Sequence, residues 1–286
     1  MKISPFISLF LLISSCVGTT ARGNNDDNLS KEENGPSFLI HFWDSIEIGD
    51  TSALSRDKIE SNFADYAVIL ANVPDSAARQ ESVNRFLKKA EKDTLTYRMI
   101  ADIAARYLYN PNSPMFDEES YIPFLRTLKD SPLIDEAQRM RYDFLLDGAL
   151  KNRPGMKAAD FSFTTREGDN LNLHDIKSRN EIMLIFYDPD CDHCQEVIEF
   201  LADDEELTDL TKKGEVTVLA IYSGEDRELW QQSAFLLPEE WIVGYDSGSI
   251  EDEELYLLPA MPTIYILDAD KKVLIKELPL SRLIHE

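Results

Sequence analysis

Apolar residues recur with the spacing of an α-helix through the N-terminal half of the chain. Such spacing places the apolar side chains on one face of each helix. Prolines at positions 74, 111, 114, 123 and 132 are expected to separate the helices, and Asp75 and Asp93 to cap two of them. The pattern predicts roughly five or six helices packed as a small bundle over residues 37–152. The two clearest apolar stripes are Ile59, Phe63, Tyr66 and Leu70, and Met99, Ile100, Ile103, Ala104, Tyr107 and Leu108.

After Pro154-Gly155 the pattern changes to short apolar runs that are typical of β-strands. Two of these runs are continuously apolar, as expected of strands that are covered on both faces, and a helical stripe at 194–201 lies between them. The predicted order is strand, helix, strand, helix and a closing hairpin, which indicates an α/β sandwich over residues 153–286. The candidate strands are 161–165, 171–173, 182–187, 216–222, 263–267 and 273–275.

Composition and charge argue against two classes of protein, wholly disordered chains and nucleic-acid-binding proteins. With 43% hydrophobic and 10% aromatic residues, the chain can bury real cores, which excludes a wholly disordered protein. The net charge of -24 argues against a nucleic-acid partner, because phosphate binding requires a basic surface. Residues 151–286 are the more acidic half, with 13 Lys and Arg against 30 Asp and Glu. This half therefore favours neutral or basic partners.

The pattern at the N-terminus predicts a targeting segment. Lys2 precedes an apolar run from Ile3 to Ile13 that is too short to cross a bilayer and typical of a signal-peptide core. The run ends in Ile13-Ser14-Ser15-Cys16, which resembles the lipobox of bacterial lipoproteins. That resemblance implies removal of residues 1–15 and lipidation of Cys16. An ordinary secretory signal or a buried helix is the alternative. The polar residues at 16–36 are expected to form a flexible tether.

The candidate chemistry lies where the first continuously apolar strand leads into its helix. There the chain reads Asp188-Pro189-Asp190-Cys191-Asp192-His193-Cys194. Cys191 falls at the helix N-terminus, where unpaired N–H groups and the helix dipole favour a thiolate. Cys194, one turn further on, is suited to resolve a mixed disulfide. A second motif, Ala260-Met261-Pro262-Thr263, precedes a strand at a position where proline can be held cis.

Together these two motifs resemble the thioredoxin superfamily over roughly residues 155–286. The longer spacing from Cys194 to Pro262 is similar to that of membrane-anchored, extracytoplasmic thiol–disulfide oxidoreductases, which insert an extra strand and helix. The resemblance implies a three-layer α/β/α sandwich in which Cys191 attacks, Cys194 resolves and cis-Pro262 lies against the pair. It also implies that Met261 and Thr263 offer backbone groups to a substrate chain. The Cys191–Cys194 disulfide would be the redox group, with no separate cofactor or metal.

The sequence departs from the thioredoxin pattern at three places. Ile185 stands where thioredoxin has a buried acid that serves as a proton shuttle. Asp192-His193 replaces the usual Gly-Pro or Pro-Pro between the cysteines. Only a short helix, Leu280 to His285, follows the last predicted strand.

The charges around the cysteines act in opposite directions. A charged His193 would stabilise a thiolate at Cys191 and make the pair more oxidising. Against it, residues 188–206 hold nine carboxylates and no Lys or Arg, and Asp190 and Asp192 adjoin Cys191. We expect a weakly activated thiolate and a reducing or intermediate potential.

The helical half resembles an uncharacterised domain that precedes thioredoxin-like domains in bacterial lipoproteins. The resemblance covers about 115 residues and rests on His41-Phe42-Trp43-Asp44 and Tyr109-Asn110-Pro111-Asn112-Ser113-Pro114-Met115. It brings no activity with it, and we expect packed or solvated residues there rather than catalytic ones. Substrate selection or docking is the expected role.

The sequence therefore predicts an α + α/β protein, a helical bundle followed by a thioredoxin-like sandwich, anchored by lipid on the outer side of the cytoplasmic membrane or on the outer membrane. Its expected activity is thiol–disulfide exchange with envelope proteins. One alternative is a non-enzymatic binding lipoprotein with a structural disulfide. Others are a metal site from Cys191, His193 and Cys194, for which His174 is the nearest further ligand, and a peroxidase, which normally needs Thr or Ser and Arg near the thiol. Covalent haem attachment is excluded because Gln195 follows the second cysteine.

Overall fold

The computed structural model describes residues 35–48 and 52–278. The predicted signal peptide, Cys16, most of the tether and the helix predicted at Leu280 to His285 lie outside these residues. The chain divides into two compact units, one that ends at Ala149 and one that continues from Leu150. Within the described ranges, no helix has both the length and the apolar character needed to cross a membrane.

The first unit is the predicted bundle of helices. Asp75 caps one helix by accepting hydrogen bonds from the N–H groups of Ala77 and Ala78, and Asp93 caps the next by accepting from Thr96, as predicted. The first helix includes residues 35 and 36, slightly before the predicted start, because proline is compatible with a first helical turn. The helices are α1 (35–41), α2 (Ala53–Asn72), α3 (Ser76–Ala90), α4 (Thr94–Leu108), α5 (Glu118–Lys129) and α6 (Glu136–Ala149).

Aromatic side chains fill the core of this bundle. The Trp43 and Phe86 rings stack with their centroids 3.9 Å apart. The buried Tyr66 hydroxyl lies 2.9 Å from Ser82 Oγ, and Ser82 in turn donates to the Leu39 carbonyl oxygen. Trp43 is thus a core residue, while His41 next to it is exposed.

Pro123 contradicts the predicted boundary between two helices, because it lies inside α5. A proline in a helix interior removes one hydrogen bond and costs about 3 kcal/mol. Burial outweighs that cost, since most of α5 is buried and leucine, phenylalanine and tyrosine side chains of this helix enter the core. The Pro123 carbonyl oxygen also accepts hydrogen bonds from Gln80 and Thr127.

The second unit is a seven-stranded mixed sheet with helices packed against it. Its strand order is β2-β1-β5-β4-β3-β6-β7, in which β3, β4 and β5 are parallel and the other neighbours pair antiparallel. The elements are β1 (Ser162–Thr165), β2 (Asn170–Asn172), β3 (Glu181–Phe186), α7 (Asp192–Ala202), α8 (Glu205–Lys212), β4 (Val216–Tyr222), α9 (Arg227–Ser233), β5 (Ile242–Tyr245), α10 (Ser249–Asp252), β6 (Thr263–Asp268) and β7 (Val273–Ile275). Short 3₁₀ turns lie at Leu173–Asp175 and Ala234–Leu236.

The two faces of β3 enter two separate hydrophobic clusters. Met183 and Ile185 join the cluster that contains α7 and α9, whereas Ile182, Leu184 and Phe186 join the one that contains α10. Successive strand residues point to opposite faces, so a strand buried on both faces is apolar at every position. The second unit is therefore the three-layer α/β/α sandwich that the sequence predicts.

The segment between β4 and β6 holds elements that the apolar pattern did not predict. β5 is short and contains Gly244, where a Cβ atom would come within 2.4 Å of Phe163 and 2.7 Å of Ile221. The close packing requires glycine, and glycine weakens the strand signal in the sequence. β5 and α10 lie between Cys194 and Pro262, where the family resemblance implies an additional strand and helix.

Candidate active site

The turn between β3 and α7 sets the position of Cys191. Tyr187 still pairs with β4, its N–H donating to the Ile221 carbonyl oxygen at 3.0 Å. The chain then turns, and the Cys191 N–H donates to the Asp188 carbonyl oxygen at 3.2 Å. The Asp190 N–H donates to Asp188 Oδ1 at 2.9 Å. Cys191 becomes the N-cap residue of α7.

The two cysteines are free thiols that face each other across the first turn of α7. The Cys194 N–H donates to Cys191 Sγ over 3.4 Å. Cys191 is half-buried, whereas Cys194 is fully buried. A sulfur atom that receives a backbone N–H at a helix N-terminus is well placed to carry negative charge. The geometry therefore makes Cys191 the sulfur of the pair that a substrate can reach.

The Cys194 thiol holds its proton firmly. Burial, with a smaller contribution from Cys191, raises the pKa of Cys194 to about 12. The backbone of Asp188 opposes this rise in pKa, while the negative charge of Asp188 adds to it. At neutral pH Cys194 is a thiol, and it must lose a proton before it can attack a disulfide.

The segment with Met261, Pro262 and Thr263 lies against Cys191. The Met261–Pro262 peptide bond is cis. Cys191 Sγ lies 3.8 Å from the Met261 carbonyl oxygen, which accepts from the thiol. Thr263 starts β6 opposite the end of β3, and its hydroxyl donates to Ala260. The pairing of β3 with β6 brings this segment to the cysteines across 70 positions in the sequence.

His193 and Asp192 lie on the exposed side of the turn. His193 Nδ1 is 3.5 Å from Glu196 Oε2, one turn along the same helix. The contact of the imidazole is therefore with a carboxylate on the outer face of α7. Asp192 is the first residue of α7, where a negative charge stabilises the helix dipole.

Beneath the cysteines the sandwich is apolar. Ile185, on β3, is fully buried in the same cluster as Cys194, so no carboxylate occupies this position. The Tyr187 ring lies in the same cluster, 6.4 Å from the ring of Tyr222. Burial raises the pKa values of both tyrosines, with Asp188 adding to the rise in each.

Two residues of this unit carry contacts that sequence reasoning missed. In the sequence Asp188 is only one of nine carboxylates, yet it is half-buried and its carbonyl oxygen accepts the Cys191 N–H. Its position shortly before the CxxC motif could have indicated that it lies near the cysteines. Arg166 carried no signal in the sequence, and its side chain is 95% buried. The oxygens that accept from it belong to Ala234, Leu237, Pro238, Glu239 and Trp241.

The side chains of His, Cys, Asp and Glu in the described part of the chain form no group of three or more that could hold a metal ion. The candidate site is thus a pair of thiols, a cis-proline segment and a half-buried carboxylate.

Comparisons with known proteins find matches for both halves of the chain. Residues 29–152 match a family model described as a domain of unknown function, DUF5106. A crystal structure of a thioredoxin-like protein from Bacteroides caccae is 32% identical, with a TM-score of 0.77, and the match covers 94% of this chain and 97% of that one.

Shorter matches cover about half of this chain. A conserved protein of unknown function from Bacteroides fragilis is 40% identical, with 46% of this chain and 96% of that chain covered and a TM-score of 0.44. A domain of a possible thiol-disulfide isomerase from Cytophaga hutchinsonii is 24% identical, with 47% and 90% covered and a TM-score of 0.39. A search of the curated proteins gives no match.

Proposed function

Since the chain belongs to the thioredoxin-like proteins, we propose that its Cys191–Cys194 pair performs thiol–disulfide exchange with other proteins of the bacterial cell envelope. The observation that carries the proposal is the Cys191 sulfur. It accepts an N–H at the start of α7 and lies 3.8 Å from the carbonyl oxygen before cis-Pro262. A nucleophilic sulfur is thus placed beside a backbone edge that a substrate chain can pair with.

The reaction proceeds in two exchanges. The Cys191 thiolate attacks one sulfur of a substrate disulfide, and the other substrate sulfur leaves as a thiolate. Cys194 then loses its proton and attacks Cys191 Sγ, which closes the Cys191–Cys194 disulfide and releases the second substrate sulfur. The substrate disulfide gains two electrons and the protein dithiol loses two. The reverse sequence oxidises a substrate dithiol.

The acidic surface around the site shapes the choice of partner. Asp190, Asp192 and Glu196 are exposed on or next to the first turn of α7. A surface of one sign accelerates association with molecules of the opposite sign. We propose that the preferred partners are neutral or basic around the cysteine that reacts.

A redox titration tests the proposed activity. In the full-length chain with Cys16→Ser, we expect a reversible two-electron couple between about -120 and -270 mV, read by thiol-alkylation shifts in glutathione buffers. The acidic site favours the reducing part of this range. A couple below about -300 mV would identify a structural disulfide of a binding protein. Thiols that never pair and copurify with metal would establish the metal-site alternative.

The proposed place of action is the cell envelope, with Cys16 lipidated after removal of residues 1–15. The signal-like run and the residues before Cys16 support this proposal. We expect a fatty-acid label to enter the wild-type protein in a bacterial host and Cys16→Ser to remain unlabelled. Equal labelling of both proteins, or a cut elsewhere than before Cys16, would contradict the anchor. Three acyl chains would hold the protein lastingly, since each buried methylene contributes about 0.8 kcal/mol.

A further inference from the structure

Gln195 directly follows the CxxC motif, and its side chain reaches back to the turn that carries Cys191. The side-chain Nε2 donates to the Pro189 carbonyl oxygen at 2.6 Å, and the backbone N–H donates to the Cys191 carbonyl oxygen at 3.0 Å. Gln195 is exposed, whereas Pro189 is buried. One residue of α7 therefore holds the turn on both sides of Asp190.

The remaining hydrogen bonds of the turn come from Asp188. Its Oδ1 accepts the Asp190 N–H at 2.9 Å, and its carbonyl oxygen accepts the Cys191 N–H at 3.2 Å. These two hydrogen bonds close the turn on itself, because all their partners precede α7. The Gln195 side chain instead joins the turn to the helix at Pro189, a residue that has no N–H of its own to donate.

The turn determines where the Cys191 sulfur lies. Cys191 Sγ accepts the Cys194 N–H over 3.4 Å and is 3.8 Å from the Met261 carbonyl oxygen. A disulfide requires its two sulfur atoms about 2 Å apart and a narrow range of dihedral angles. A turn that is already fixed loses little freedom when this ring closes, whereas a loose turn must be ordered at that moment.

We propose that Gln195 is a positioning residue that keeps the Cys191 turn ready for closure of the Cys191–Cys194 disulfide. It thereby sets the rate of the resolving step and the stability of the disulfide. This inference rests on the exchange function proposed above. In the resolving step the Cys194 S–H bond breaks and its proton passes to solvent. The Cys194 sulfur bonds to Cys191 Sγ, and the bond from Cys191 to the substrate sulfur breaks. Gln195 acts on this step through the turn alone.

Three substitutions at position 195 separate the hydrogen bond from charge. Gln195→Lys keeps an N–H donor on a chain one bond longer, whereas Gln195→Met and Gln195→Glu have no donor at neutral pH. The hydrogen bond therefore groups Gln195→Lys with wild type and the other two variants together. An effect of charge would instead place Gln195→Lys and Gln195→Glu at opposite ends, with Gln195→Met beside wild type.

The resolving step can be isolated with dithiodipyridine, a disulfide that is uncharged at neutral pH. Attack by Cys191 releases the first thiopyridone, and attack by Cys194 releases the second in a first-order step. Both releases are measured by stopped flow in the full-length chain with Cys16→Ser, so that two thiols remain. We expect the second release to slow about fivefold in Gln195→Met and Gln195→Glu, the worth of one hydrogen bond, and to stay within about twofold of wild type in Gln195→Lys.

The first release and the redox potential distinguish positioning from a purely structural role. In Gln195→Met the first release should stay within about twofold, because attack on a free probe does not require alignment with Cys194. The potential should become about 20 mV more oxidising, which is a fivefold fall in the equilibrium constant for closing the disulfide. If the hydrogen bond only stabilised the fold, the dithiol and disulfide forms would lose equally and the potential would not move. Gln232→Met, at an exposed glutamine of α9, is the control that should leave both rates and the potential unchanged.

The outcomes separate this role from the exchange function. A second release from Gln195→Met as fast as wild type, or rates that follow charge, would overturn the role of Gln195 and leave the exchange function standing. Gln195→Lys as slow as Gln195→Met would overturn it as well, because the donor would then not matter. A wild-type protein that releases only one thiopyridone would instead contradict the exchange function itself.

Discussion

Cys191→Ser is expected to abolish thiol–disulfide exchange, with a fall in rate of about a thousandfold or more. The serine hydroxyl is not ionised at the N-cap position, so nothing remains there to attack a disulfide. Cys194→Ser is expected to behave differently, because Cys191 keeps its thiol and its place at the start of α7. That variant performs the first exchange and stops at the mixed disulfide. The measurement is turnover of a peptide disulfide with glutathione as the reductant.

The two cysteine variants share a control and a discriminating outcome. Glu199→Gln, on the exposed face of the same helix, is expected to turn over the peptide at the wild-type rate within about twofold. If Cys191→Ser and Cys194→Ser lost activity equally and neither formed a mixed disulfide, the assignment of attacking and resolving sulfur would be wrong. If Cys194→Ser alone remained fully active, a single-thiol reaction would replace the two-step exchange.

Cys194→Ser also gives access to the partner. Its long-lived mixed disulfide would join Cys191 to whichever envelope protein it reacts with, and mass spectrometry of the trapped pair would identify the partner cysteine. The acidic surface around Asp190 and Asp192 predicts that the residues flanking this cysteine are neutral or basic. Trapped cysteines with mainly acidic neighbours would contradict that preference.

The part of the fold that carries the site could be predicted because its signals are local. Five of the six residues of β3 are apolar and cover both of its faces, and α7 follows with a regular apolar stripe. Cys191 lies between them, so its place at a helix N-terminus follows from the sequence alone. The helical bundle was predictable for the same reason, since capping residues and apolar stripes mark its helices.

The features that the sequence did not reveal depend on contacts between distant residues. Pro123 is a helix breaker by local rules, and only the burial of α5 explains why the helix continues through it. The packing of β5 into the sheet depends on Gly244, which fits between side chains of β1 and β4. Asp188 differs from its acidic neighbours only in what surrounds it, because its partial burial and the hydrogen bond from the Cys191 N–H to its carbonyl oxygen arise from the folded turn.

Arg166 is the clearest case of a contact that sequence could not show, and its removal is expected to destabilise the second unit strongly. The buried guanidinium donates to carbonyl oxygens of the segment that joins α9 to β5, among them those of Ala234, Leu237 and Pro238. Its own contact with Glu167, at 3.4 Å, lies on the exposed side. Arg166 thus ties the end of β1 to the connection that leads into β5.

In Arg166→Ala these carbonyl groups lose their donor while they remain largely shielded from water. Each buried acceptor without a partner costs about 1–3 kcal/mol, and partial solvation of the segment limits the sum to about 3–5 kcal/mol. Arg166→Lys is expected to recover about half of that, because an ammonium has fewer donors and lacks the planar fork of a guanidinium. Arg179→Ala, at an exposed arginine of the same unit, should change stability by less than about 0.5 kcal/mol.

Hydrogen exchange measured by mass spectrometry is suited to this test, because a chain of two compact units need not unfold in one step. Peptides from β5 and from residues 234–241 should lose protection first in Arg166→Ala, while peptides from α2 to α5 of the other unit keep theirs. β5 pairs with β4, and a carbonyl oxygen of β4 accepts the N–H of Tyr187 just before the cysteines. The loss of protection is therefore expected to spread from the Arg166 contacts toward Cys191. Unchanged protection at 234–241 would show that these hydrogen bonds contribute little to the stability of the sandwich, and that the packing of Trp241 and Ala234 holds the segment on its own.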